Sequence, residues 1–112
     1  MLRVVDAAAA ISGRGYPAAV SVTAELDLAD DALPANAGRW TLDIGGGKGE
    51  LQRGAGAGGA PLRLDERGFA ALYAGTPMSV LRIAGLASGG SVADDDALDS
   101  AFAATAFMVD YF

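Results

Sequence analysis

Apolar and polar residues alternate most regularly between Val20 and Leu28. Val20, Val22, Ala24, Leu26 and Leu28 interleave with Ser21, Thr23, Glu25 and Asp27. Successive side chains of a strand point to opposite faces, so this spacing predicts a strand with one buried and one wet face. Arg39 to Ile44 alternates in the same way, with Trp40, Leu42 and Ile44 inward. Asp30 to Gly38, with Pro34 and Asn36, reads as the loop between them. Gly45-Gly46-Gly47 turns the chain, and Glu50 to Arg53 reads as a weaker returning strand around Leu51. Gly54 to Ala60 holds only Gly and Ala and is expected to form the tip of a hairpin. Beyond it Pro61 opens an edge strand with Leu62 and Leu64 on its inner face. The short apolar segment Leu2 to Val5 predicts one more strand at the start.

Helices announce themselves by their caps. Asp6 precedes Ala7 to Ser12, and a carboxylate there accepts the orphan N–H groups of a first turn, with Gly13 closing the helix. Asp65 caps a second helix, whose Phe69, Leu72 and Tyr73 fall at i, i+3 and i+4 and which Gly75 ends. Thr76-Pro77 predicts a capping hydroxyl followed by Pro at the first helical position, with Val80, Leu81 and Ala84 as the apolar stripe and Gly85 as the stop. Ser91-Val92-Ala93-Asp94 has the spacing of a capping box. Leu98, Ala101, Phe102 and Thr105 then give a packing face, and Phe107 to Phe112 form an aromatic tail.

Composition narrows the chemistry. The 112 residues suit one domain, and 25 of the hydrophobic residues are Ala, which leaves one thin core of larger side chains. With no Cys and no His, a disulfide framework, a Ser-His-Asp triad and a typical zinc site cannot be built in this chain. A net charge of −6 opposes nucleic-acid binding, and no apolar run or leader pattern marks a membrane span or signal peptide. A cytoplasmic module is the expectation.

Two motifs match by letter and fail by context. Gly54-Ala55-Gly56-Ala57-Gly58-Gly59 is a G-x-G-x-x-G, and Arg53 to Gly58 fits the acyl-CoA pyrophosphate loop R/Q-x-x-G-x-G/A. Both work by leading into a helix N-terminus, whereas here Pro61 and Leu62-Arg63-Leu64 open a strand. Gly45-Gly46-Gly47-Lys48-Gly49 lacks the spacing and the Ser/Thr of a P-loop. Asp94, Asp95 and Asp96 suit the positive end of a helix dipole and lack the later ligands of a calcium loop.

A family pattern runs through the chain. Leu62-Arg63-Leu64-Asp65, Ala71-Leu72-Tyr73-Ala74-Gly75, Gly85 and Leu98-Asp99-x-x-Phe102 follow in the order of the sterol-carrier-protein-like domain. The chain resembles the version that ends enhanced-intracellular-survival (Eis) type GNAT N-acetyltransferases. Met1-Leu2-Arg3-Val4-Val5-Asp6 resembles that domain's opening, Pro34-x-Asn36-x-Gly38-Arg39-Trp40 its loop into the second long strand, and Asp110-x-Phe112 its terminus. Ala106-Phe107 stands where the family tail carries Pro before its aromatic.

The resemblance implies an α/β (α+β) fold: a small mixed, mainly antiparallel sheet of about five strands with helices mainly on one face. It implies a single domain over residues 1–112, at the C-terminus of a longer acetyltransferase and not catalytic alone. Acetyl-CoA is then expected on the preceding GNAT region, with no cofactor or metal in this chain. The implied partners are those GNAT domains, an amine substrate and further copies in an oligomer. The terminal carboxylate of Phe112 would serve as base, with Asp110 and Tyr111 beside the amine. An α-carboxyl pKa of ~3.3–3.7 leaves that group ionised at neutral pH, and burial would raise it toward a better proton acceptor. Two other classes fit the same residues: a stand-alone lipid carrier with an apolar tunnel, and a purely structural oligomerisation domain. Tyr73 and Trp40 fall at core spacing, and Arg39 and Arg82 suit surface ion pairs.

Overall fold

A computed structural model describes residues 6–54 and 60–103. Asp6 starts α1 (Ala7–Ser12) as expected, its Oδ1 accepting the Ala9 N–H at 3.0 Å, and the helix buries Ala7, Ala10 and Ile11. Three strands follow as an antiparallel meander: β1 (Val22–Ala29), β2 (Gly38–Gly45) and β3 (Lys48–Arg53). β1 starts at Val22, and Val20 lies half-buried outside it. Gly45 opposite Lys48 leaves Gly46-Gly47 as a two-residue turn with φ of 61° and 80°. Only glycine adopts that pair cheaply, and such turns match the twist of the flanking strands.

Register decides which face is apolar. Val22, Ala24 and Leu26 oppose Ile44, Leu42 and Trp40, and Leu42 opposes Leu51, so the buried sets share one face. Thr23, Asp27, Arg39, Asp43 and Glu50 occupy the other face. α1 packs on β3, and two later helices pack on β1, closing the apolar side.

The Gly/Ala stretch is not a hairpin tip. Sheet order is β3-β2-β1-β4-β5, and β4 (Leu62–Asp65) runs parallel to β1, with Leu26 opposite Leu62 and Leu28 opposite Leu64. The connection from β3 to β4 therefore passes two strands instead of reversing in place; residues 55–59 of it lie outside the described residues. Alternation marks a strand and its inner face without naming its neighbour, and Leu62 and Leu64 match β1 as well as they match Leu51. β5 (Ala87–Gly89), antiparallel to β4, has three residues and no alternation to foresee it. The expected strand Leu2 to Val5 lies outside the described residues.

α2 (Glu66–Tyr73) begins where Asp65 Oδ1 accepts the Gly68 N–H at 2.7 Å, and it buries Phe69, Ala70, Leu72 and Tyr73. α3 (Met78–Ile83) departs from expectation twice. Its N-cap is Pro77 without a side-chain bond, and the orphan Met78 N–H goes instead to Asp99 Oδ1 at 2.7 Å. Its buried side is Met78 and Leu81, while Val80 is 50% exposed and Ala84 is exposed. α4 (Val92–Phe102) is capped by Ser91, whose Oγ accepts the Asp94 N–H at 3.2 Å, and it buries Leu98, Ala101 and Phe102. Thr105 lies outside the described residues.

Candidate functional site

The ends of α1, α2 and α4 meet around Arg14, a residue without any periodic signal in the sequence. Helix C-termini leave carbonyls without partners, and here carbonyls at the ends of α1 and α2 find side chains. Tyr16 Oη donates to the carbonyl of Ile11 at 2.7 Å and Tyr73 Oη to that of Ala10 at 3.0 Å, so two tyrosines close α1. Arg14 Nη1 donates to the Tyr73 carbonyl at 2.9 Å and closes α2, where the helix dipole favours a cation. The Arg14 guanidinium carbon stands 5.0, 5.1 and 5.0 Å from the ring centroids of Tyr16, Tyr73 and Phe102. Tyr16 and Phe102 also meet edge to face at 5.7 Å.

Electrostatics follow from burial. Desolvation draws the Arg14 guanidinium below its ordinary pKa, partly offset by Tyr16 and Tyr73. The same burial pushes the Tyr16 hydroxyl up, against the opposing effect of Arg14. Gly49 makes room for this cluster: a Cβ there would stand 2.5 Å from the Tyr16 ring. Arg14, Ser12, Gly45, Lys48 and Gly49 border an open cleft of about 540 Å³, with Asp43 and Glu50 in its wall.

The residues weighed from sequence fall into place as structure. Tyr73 is 2% exposed. Trp40 is also buried, donates Nε1–H to the Asn36 carbonyl at 2.9 Å, and carries the Arg53 guanidinium over its ring at 3.9 Å. Arg39 Nη2 lies 3.9 Å from Glu25 Oε1, a buried oxygen without a hydrogen bond among the described residues. Arg82 is held by Asp95 through two bonds of 2.7 and 2.8 Å, and the hydrogen bond to Asp95 raises its pKa. Asp110, Tyr111 and Phe112 lie outside the described residues.

Acetyl-CoA would need a loop whose N–H groups open a helix toward its pyrophosphate. The Gly54 to Ala60 segment precedes β4, and its residues 55–59 lie outside the described residues. No helix among the described residues is long and apolar enough to cross a membrane.

The model of the sterol carrier protein domain matches residues 7–109. This chain belongs to that family. Its sterol carrier domain superposes on part of the GCN5-related N-acetyltransferase from Kribbella flavida with a TM-score of 0.84 and 47% identity, covering 89% of this chain and 25% of that one. The GCN5-related N-acetyltransferase from Anabaena variabilis gives a TM-score of 0.78 and 29% identity over 89% of this chain and 25% of that one. Eis1 from Mycobacterium abscessus gives 0.67 and 25% identity over 89% of this chain and 24% of that one. The sterol carrier domain therefore spans about a quarter of the acetyltransferase chains it matches. No curated protein gave a match.

Proposed function

We propose that this sterol carrier domain is the C-terminal module of a longer, Eis-type, acetyl-CoA-dependent amine N-acetyltransferase, completing the acceptor pocket built by preceding GNAT domains in the cytoplasm. The observation that carries the reading is the match at 47% identity to a quarter of a GCN5-related N-acetyltransferase. Acetyl-CoA is assigned to the GNAT region. In the pocket the terminal carboxylate of Phe112 takes the proton from the acceptor amine, and Asp110 and Tyr111 contact that amine. Packing of the core also supports this reading over a lipid carrier: Leu26, Leu42, Ile44, Leu72, Leu81, Leu98 and Phe102 are each at most 1% exposed and belong to one cluster.

The test uses the intact parent enzyme. Extending the chain beyond Phe112 is expected to abolish acetyl transfer while leaving the thermal unfolding of the domain unchanged. Undiminished turnover in the extended enzyme would remove the terminal carboxylate from the chemistry. An assembly role is favoured by one observation: Ile83 is 89% and Val80 50% exposed on the same side of α3, an apolar pair suited to burial against another protein surface. Ile83→Asp in the parent is expected to lower its oligomeric mass in light scattering if α3 joins subunits.

A further inference from the structure

Arg14 sits in the run Gly13-Arg14-Gly15 and is only 6% exposed. A guanidinium carries five N–H donors in a rigid planar fork. Among the described residues two of the five find acceptors: Nη1 on the Tyr73 carbonyl at 2.9 Å and Nε on the Gly15 carbonyl at 3.4 Å. Rings of Tyr16, Tyr73 and Phe102 surround it, and rings accept no in-plane N–H. Among the described residues no carboxylate lies within ion-pair distance of it, whereas Arg82 holds Asp95 with two bonds. What remains open is the cleft that Arg14 borders.

We propose that Arg14 and this cleft form a receptor for a single carboxylate group. The unused edge of the guanidinium supplies the fork, which matches the two oxygens of a carboxylate. Lys48 adds a second, exposed cation, and Gly45 and Gly49 bring no side chains to fill the space. Asp43 and Glu50 in the wall balance Arg14 and Lys48, so the cleft selects a monoanion over dianions and polyanions. A small acid in solution and a carboxylate of the chain's own acidic end present the same group. Occupation from within would draw Asp110 or the Phe112 carboxylate away from the acceptor pocket of the proposed function, whereas a free acid would leave that role untouched, and the test needs no acetyl transfer.

The experiment follows the Arg14 Nε–Hε resonance of the full chain while acetate replaces chloride at constant ionic strength. The parallel arm uses a chain with Asp110→Asn and an amidated C-terminus, which removes both carboxylates of residues 104–112. A saturable shift in the unmodified chain, at least about tenfold larger than at exposed Arg63 and Arg67, supports a free acid as occupant. A shift seen only in the modified chain supports the same receptor filled from within. Arg14→Lys, read at the Gly15 amide, is expected to weaken binding about tenfold, because a point charge replaces the fork. Lys48→Ala leaves the helix contacts intact and is expected to weaken it about two- to threefold. Absence of saturation in both chains, or sulfate binding as tightly as acetate, would overturn the proposal.

Discussion

The surroundings of Arg82 and Arg14 each tie three elements together, by opposite chemistry. Arg82 reaches from α3 to Asp95 on α4 and to the Gly89 carbonyl of β5 at 2.6 Å, with its side chain 31% exposed. Arg14 reaches from the loop after α1 to the end of α2 and to Phe102 of α4, through a carbonyl and three rings. The first arrangement consumes its charge in a bidentate pair, and the pair raises the Arg82 pKa. The second meets no carboxylate among the described residues, and burial lowers the Arg14 pKa. Two arginines with similar structural tasks therefore differ in what they offer a ligand.

Substitutions can break this comparison at graded cost. Phe102→Ala removes a fully buried ring from both the core and the Arg14 cluster, and a loss of ~3–5 kcal/mol in urea unfolding is expected. A loss below ~1 kcal/mol would show that the end of α4 does not hold the cluster. Gly49→Ala drives a methyl against the Tyr16 ring and is expected to cost ~1–3 kcal/mol, with resonance changes at Arg14 and none at Arg82. Equal changes at both arginines would mean that the two regions are one cooperative unit. Asp95→Asn weakens the charged pair on the other side, with ~1 kcal/mol expected and the Arg14 cluster unmoved.

Tyr16 adds a pH lever. Its folded-state pKa is raised above the ordinary value of 10.0, mainly by burial, so the folded chain holds that proton more tightly than the unfolded chain. The resulting stability is fully present below about pH 10 and is lost as pH rises through the folded-state value. Tyr16→Phe gives up ~1 kcal/mol at neutral pH with its bond to Ile11, and its stability should then fall less steeply above about pH 10. Parallel curves for the two chains, read by circular dichroism in urea, would separate Tyr16 titration from folding.

Much of this architecture is written locally. The alternation of β1 and β2, and the caps Asp6, Asp65 and Ser91, depend on residues within one element and its immediate flank. What escaped depends on partners far along the chain. β4 beside β1, the short β5, and Asp99 capping α3 from α4 leave no periodic trace where they begin. Arg14 escaped for the same reason, since a loop arginine between two glycines gains meaning only when Tyr73 and Phe102 arrive beside it. The family pattern supplied the fold class, and the tail residues Asp110, Tyr111 and Phe112 remain a proposal for the parent enzyme.

The parallel contact between β1 and β4 also fixes a timetable. During refolding, residues 22–53 can complete their hairpins before Leu62 docks beside β1, because each strand pairs with its sequence neighbour. The free edge of β1 must then wait for a loop closure whose entropy the meander never met. During that interval Leu26 and Leu28 lie on an unpaired strand edge, the kind of surface on which chains add to one another. A released chain truncated after Arg53 is thus expected to self-associate, and growing particles in light scattering would register it. A stable monomer at that length would mean that the charges of Glu25 and Asp27 already guard the edge until β4 arrives.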